Sequence, residues 1–239
     1  VWIIKICLIE ILVVTLLSKK QLSLMTGNET MIKGVLFDLD GVLIDTEGTY
    51  TKFWEAVDER FPTGVQDFAQ VIKGSNLDNI LYTYFPTEEL REQVTMLLDE
   101  LQGDMHYDYF PGAIELLEQL ERAGIACCLV TSSDSRKMEA LCRQHPDFAS
   151  HFEGIVTGNM VSEPKPSPEC YVLGAKKLGL DIEQCVVIED SINGLLAGMR
   201  SGARVIGLCT TCSREAIATH CHMVAASVSE LSVDIISGL

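Results

Sequence analysis

Six side chains of this 239-residue sequence have the types and spacing to do chemistry together. Asp38 and Asp40 stand two apart at the end of an apolar run, in Asp38-Leu39-Asp40-Gly41. In extended backbone such residues point to the same side, so the two carboxylates converge. Converging carboxylates are unfavourable unless a proton or a cation resolves them. Glu189 and Asp190 end a second apolar run and add the hard oxygen ligands that Mg2+ prefers. Thr131, with the amides that follow it, offers a seat for a phosphate. Lys165, in Glu163-Pro164-Lys165-Pro166, offers the charge to neutralise that phosphate. Together they describe an anion site built around a metal. With Asp38 as nucleophile and Asp40 as proton donor and acceptor, the chemistry is phosphoryl transfer through an aspartyl-phosphate.

Regular elements must bring these residues together. Residues 33–38, 126–131, 154–157, 185–189 and 204–208 are short, nearly continuous apolar runs, the pattern of strands buried on both faces. Helical patterns lie between them at 113–123, 135–144, 168–178 and 191–201, with Ser167 expected to cap the third and Pro168 to be its first residue. Strand–helix alternation implies an α/β fold with a parallel sheet covered on both faces. In such sheets ligands gather at the carboxyl ends of the strands, where these side chains stand. Residues 47–110 break the alternation. They hold no strand pattern but helical ones at 50–60, 76–84 and 87–102, so an inserted helical subdomain is expected there.

Charge and cysteines narrow the class. Lys and Arg number 18 against 34 Asp and Glu, a net charge of −16, which argues against a nucleic-acid partner. Nine cysteines are scattered along the chain, and Cys127 and Cys128 sit inside one strand run, facing opposite ways. Packed free thiols in the cytoplasm fit this better than a disulfide framework. Cys209 and Cys212 have zinc-site spacing, but His220, Cys221 and His222 lack the spacing of a second half. Residues 1–17 are apolar except for Lys5, Glu10 and Thr15. That is short for a membrane span, Glu10 is costly in lipid, and no cleavage site follows. Residues 1–30 are expected to be an extension outside the working fold, a membrane anchor and an ordinary packed helix being the alternatives.

Asp38-Leu39-Asp40-Gly41-Val42-Leu43-Ile44-Asp45-Thr46, then Thr131, Lys165 in KPSP, and Glu189-Asp190 in VVIEDSINGLLAG, resemble the four motifs of the haloacid-dehalogenase-like hydrolases, with Phe110-Pro111-Gly112 pointing to the β-phosphoglucomutase-like branch. The resemblance covers about 32–235. It implies a Rossmann-like parallel-sheet core from residues 31–46 and 111–239, with an inserted α-helical cap at 47–110 that closes over the substrate. It also implies Asp38 as nucleophile and Mg2+ ligand, and Asp40 as general acid and base giving its backbone carbonyl to the metal. Thr131 and Ser132, with Ser133 beside them, would hold the phosphoryl group, Lys165 would steady nucleophile and phosphate, and Asp190 with Glu189 would complete the metal site. The implied activity is Mg2+-dependent hydrolysis of a small phosphate monoester, such as a sugar phosphate, by a monomer or weak dimer.

Two departures concern the substrate. Tyr50 stands where the mutases of that branch carry a histidine, and Leu77, in the cap loop at 73–78, stands where they carry an arginine. Both weaken the alternative of a sugar phosphomutase. A non-catalytic phospholigand-binding protein is a further alternative, against which intact Asp38 and Asp40 speak. Glu47 and Tyr50 are divided between cap packing and substrate contact, and Glu189 between metal ligation and support. Asp45-Thr46 are expected to cap the first cap helix. Tyr82, Tyr84, Phe85, Tyr107, Tyr109 and Phe110 are expected to be core.

Overall fold

The computed structural model describes residues 31–239, with the side chain of Glu47 excepted, so the expectation for residues 1–30 lies outside the described residues. Six strands, β1 (Gly34–Phe37), β2 (Ala126–Val130), β3 (Gly154–Val156), β4 (Cys185–Glu189), β5 (Arg204–Leu208) and β6 (Met223–Ala225), form a parallel sheet in the order β3-β2-β1-β4-β5-β6. Five coincide with the apolar runs to within a residue or two. The edge strand β6 is only Met223-Val224-Ala225, too short to show a period, and it exists because β5 offers it a partner.

Alternation along each strand sorts the core into two layers. Val35, Phe37, Cys127, Leu129, Val186 and Ile188 bury themselves on one face. Leu36, Cys128, Val130, Cys185 and Val187 do so on the other. The adjacent thiols of Cys127 and Cys128 thus enter different layers, and Cys127, Cys128, Cys142, Cys170, Cys185, Cys209 and Cys221 are free thiols.

Between β1 and β2 the chain carries α1 (Glu47–Arg60), α2 (Phe68–Val71), α3 (Leu77–Tyr84) and α4 (Glu88–Asp104), then α5 (Ala113–Arg122). The first four pack around their own apolar cluster, in which Trp54, Phe68, Ile80, Phe85, Val94 and Leu98 are buried. Of the aromatics expected as core, Phe85 and Tyr107 are buried, whereas Tyr82 is exposed beneath the Arg91 guanidinium. The chain leaves and re-enters the sheet domain through two segments lying side by side. Asp45 N–H donates to Asp108 O at 2.9 Å and Phe110 N–H to Leu43 O at 2.9 Å.

The crossovers of the sheet domain are α6 (Ser135–Gln144), α7 (Glu169–Lys177) and α8 (Ile192–Ser201), followed by α9 (Arg214–Ile217) and α10 (Val233–Ser237). α1 starts three residues before its apolar pattern does, because Glu47-Gly48-Thr49 carry no apolar side chain. Pro168 is the N-cap of α7 rather than its first residue, and the Ser167 hydroxyl accepts the Glu169 N–H at 3.4 Å. Among the described residues no helix is long and apolar enough to cross a membrane.

Strand register sets the site. Phe37 lies opposite Leu129 of β2 and Ile188 of β4, so Asp38, Thr131 and Glu189 leave three neighbouring strand ends together. The middle of this arrangement is β1, where Leu36 is fully buried. Leu36→Ala is expected to cost about 2–5 kcal/mol, the usual range for emptying a core leucine site. It should appear as a lower urea midpoint with an unchanged slope.

Candidate active site

The chain turns sharply after β1. Leu39 O accepts the N–H groups of Leu43 and Ile44, and Gly41, at φ +74°, sits where an added Cβ would lie 1.8 Å from Asp190 Oδ2. Only glycine lets the β1 turn and the Asp190 carboxylate approach so closely. Lys165 arrives from the loop after β3 and is almost fully buried. Its ammonium has three protons and three acceptors: Asp38 Oδ1 at 2.6 Å, Glu189 Oε1 at 2.7 Å and Val130 O at 3.4 Å.

Glu189 is held from all sides. Oε1 accepts from Lys165 and from the Tyr171 hydroxyl at 3.1 Å. Oε2 accepts from Asp190 N–H, Ser191 N–H and Ser191 Oγ at 2.8, 2.9 and 3.0 Å. Those donors lead directly into α8, with Ser191 as its N-cap, and the positive end of that helix suits a carboxylate. Gly194 makes room for it, since a Cβ there would lie 1.6 Å from Oε1. Burial works against the charge on Glu189, but Lys165 and the amide donors outweigh it and hold this carboxyl below its usual range.

Asp38 is different. Burial pushes its carboxyl up to about 7, Lys165 pulling the other way and Glu189 adding to the rise. Asp38, Glu189 and Asp190 each place an oxygen within 4.8 Å of the others. The ammonium of Lys165 contacts two of these carboxylates, Asp38 and Glu189. An all-oxygen donor set of three carboxylates fits a hard divalent cation such as Mg2+.

Asp40 lies across the site in separate company. Its carboxylate accepts short hydrogen bonds from Thr46 Oγ1 and Lys137 Nζ, and one from Ser133 Oγ at 3.0 Å. Burial favours the neutral acid, but Lys137 and the two hydroxyls hold Asp40 below the usual carboxylate range. Thr46 occupies the N-cap position of α1 yet makes no side-chain cap, so the expected capping role gives way to its bond with Asp40.

The loop after β2 seats the remaining residues. Thr131 is buried and accepts the Ser133 N–H at 3.0 Å, and the Ser132 hydroxyl donates to Gly74 O of the helical insertion at 3.0 Å. A cavity of about 130 Å³ opens over Asp38, Asp40, Asp190, Ser132 and Ser133, with Tyr50, Trp54 and Leu77 on its far wall. Thr131, Lys165 and Glu189 are buried behind those surfaces. The Glu47 side chain lies outside the described residues.

Lys137, Tyr171 and Thr211, whose hydroxyl bonds Asp190, lie outside the motifs, and Thr46 lies within one but in a capping role rather than as a partner of Asp40. One of them left a signal. Lys137 is a cation in the first turn of α6, against the helix dipole, and such a placement asks for a compensating anion.

The sequence matches the haloacid dehalogenase-like hydrolase family over residues 32–202. Protein CbbY of Cereibacter sphaeroides is 30% identical over 196 residues, which cover 74% of this chain and 84% of that protein. Hexitol phosphatase A of Escherichia coli is 32% identical over 183 residues, 74% of this chain and 82% of its own. A solved structure described as a putative β-phosphoglucomutase from Bacteroides vulgatus superposes with a TM-score of 0.73 at 25% identity, over 88% of this chain and 90% of that one.

Lys165→Met would leave two buried carboxylates without their cation. The expected cost is about 3–5 kcal/mol, as for other broken buried pairs, read from the urea midpoint at neutral pH.

Proposed function

This chain belongs to the haloacid dehalogenase-like hydrolase family, and we propose that it is a Mg2+-dependent phosphatase that hydrolyses a small phosphate monoester through an Asp38 aspartyl-phosphate. The observation that carries this reading is the pairing of two aspartates in unlike settings over one cavity. Asp38 is fixed by Lys165 beside two further carboxylates, and Asp40 is fixed separately by Lys137. The relatives named above favour a phosphorylated metabolite as substrate, one of them being named for a hexitol phosphate. The free thiols favour a cytoplasmic setting.

Asp38 and Asp190 would hold the ion with the backbone carbonyl of Asp40, and Glu189, its oxygens already accepting five donors, would brace Lys165 and the α8 turn beneath them. Bound there, Mg2+ supplies charge compensation for the phosphoryl oxygens. Lys165 holds Oδ1 of Asp38, so Oδ2 is turned to attack phosphorus. That bond forms as the ester P–O bond breaks, and protonated Asp40 gives its proton to the departing oxygen. In the second half Asp40 takes a proton from water, whose oxygen attacks phosphorus and displaces Asp38. Both aspartates end as they began. Ser132 and Ser133, which line the cavity, seat the phosphoryl group during both halves, with Thr131 bracing their loop from behind.

Two wall residues favour hydrolysis over a mutase. Leu77 stands where that alternative carries an arginine, while Lys73 supplies a cation elsewhere on the same wall. Tyr50, which stands for the mutase histidine, has its ring against the Lys137 ammonium at 4.3 Å.

Phosphate release from sugar phosphates, nucleotides and pyrophosphate tests this reading. Release should require Mg2+, stop with chelator, and fall at least about 10³-fold in Asp38→Asn. Asp40→Asn should lower it by about 10²–10⁴-fold. Absence of release from every compound, with and without a bisphosphate activator, would sink the enzymatic reading.

The raised Asp38 carboxyl adds a pH dependence. Below about 7 a proton competes with the cation for Asp38, and above it the carboxylate is free to bind. Mg2+ should therefore raise Tm more at pH 8 than at pH 6, by about 2–4 °C for each kcal/mol of binding. In Asp190→Asn this shift should disappear at both pH values.

A further inference from the structure

Nothing in the family motifs accounts for Lys137. It enters from the first turn of α6, is 3% exposed, and points its ammonium at Asp40 Oδ1 while lying against the Tyr50 ring, 4.3 Å from the centroid. Tyr50 belongs to α1, and its hydroxyl accepts from Gln102 Nε2 of α4 at 3.3 Å. Asp40 is thus gripped from three directions: Thr46 at the start of the insertion, Ser133 after β2, and Lys137 between Asp40 and the aromatic wall of the cavity.

Burying a lysine at a helix N-terminus is costly twice over, once for desolvation and once against the dipole. A surface position would have spared both. Asp40 recovers part of that cost, and the Tyr50 ring a smaller part, because a desolvated ammonium over an aromatic face is attracted to it. Tyr50 and Gln102 sit on helices of the insertion, while Lys137 and Ser133 sit on the sheet domain. The Asp40 carboxylate is therefore oriented by both parts of the chain at once.

We propose that Lys137 is a positioning residue for the proton-transfer step, acting through Asp40 and held against it by the Tyr50–Gln102 pair of the helical insertion. The proposal rests on the phosphatase reading above. Lys137 lines the cavity beside Asp40 and bonds its Oδ1, acting through that carboxyl. It fixes where the Asp40 carboxyl points, and a proton-transfer group displaced by an ångström loses about 10²-fold in rate.

Such a role has two kinetic marks that a purely structural one lacks. The first is leaving-group dependence. kcat/KM reports steps up to phosphorylation of Asp38, and in that half Asp40 serves only a leaving oxygen that needs a proton. A sugar alkoxide needs one, whereas p-nitrophenolate leaves without it. The second mark is non-additivity, since a residue acting through Asp40 has nothing left to act through once Asp40 is gone.

The experiment measures kcat/KM for the best sugar phosphate of the panel and for p-nitrophenyl phosphate. It compares wild type, Lys137→Met, Asp40→Asn and the double variant, all with Mg2+. Lys137→Met is expected to lower kcat/KM for the sugar phosphate about 10²-fold, to lower it at least 10-fold less for p-nitrophenyl phosphate, and to add nothing in the Asp40→Asn background. Lys137→Gln, which retains a donor for Asp40 and so spares the fold, should fall between wild type and Met with the same substrate bias. Equal losses on both substrates, or the same fold-loss with and without Asp40, would overturn the proposal while leaving the phosphatase reading intact. A wild-type protein that releases phosphate from neither substrate would overturn both.

Discussion

A buried lysine shared between two carboxylates governs the site. Lys165 reaches in from a loop 127 positions away from Asp38 in sequence and ties the end of β1 to the end of β4. Strand register makes this tie possible, because Phe37 and Ile188 are paired and the acids that follow them emerge side by side. Everything near the ammonium is arranged to keep it there. Val130 O takes its third proton, Tyr171 shares Glu189 with it, and Gly194 leaves the space that Glu189 occupies. Each of these contacts is buried, and an ammonium in such surroundings is stable only when all its protons are placed.

The carboxylates gathered around Lys165 are as informative as the tie itself. The whole chain carries −16, and an anionic substrate approaching it meets a repulsive field. The site adds Asp38, Asp190 and Glu189, clustered at one cavity. Lys73 and Lys137 line the same cavity and offset part of that field, and under the proposed function a bound cation would offset more. Cation and substrate binding would then be coupled by electrostatics, strengthened by the same burial that raises the Asp38 carboxyl.

Much of this arrangement is legible in the sequence because strand ends are legible. Asp38, Thr131 and Glu189 each close an apolar run, and the parallel-sheet rule sends such residues to one edge. The helical insertion was equally readable, since no strand pattern interrupts residues 47–110. What escaped depends on side-chain direction across long separations. Nothing local says that Thr46 turns to Asp40 instead of capping α1, because both roles use the same hydroxyl at the same position. The three residues of β6 carry no period, and only the neighbouring β5 makes them a strand. Lys137 offered a physical hint, a cation at the wrong end of a helix, but the identity of its partner is a tertiary fact.

Asp38 and Asp40 are two residues apart and yet are driven in opposite directions. Burial penalises both. The difference lies in how their lysines are divided. Lys165 serves Asp38 and Glu189 together, so its charge only partly offsets the cost of burying Asp38, and the nearby Glu189 carboxylate adds repulsion. Among the described residues, Lys137 gives its charge to Asp40 with no second carboxylate at its ammonium, and two hydroxyls strengthen the hold on Asp40. One aspartate is left needing further positive charge, as the proposed role of nucleophile beside a cation site requires. The other is held in a fixed direction, as the proposed role of giving a proton and later taking one back requires. Separating the two roles takes two buried lysines, one from the loop after β3 and one from the first turn of α6, because a single ammonium between the aspartates would have made them alike.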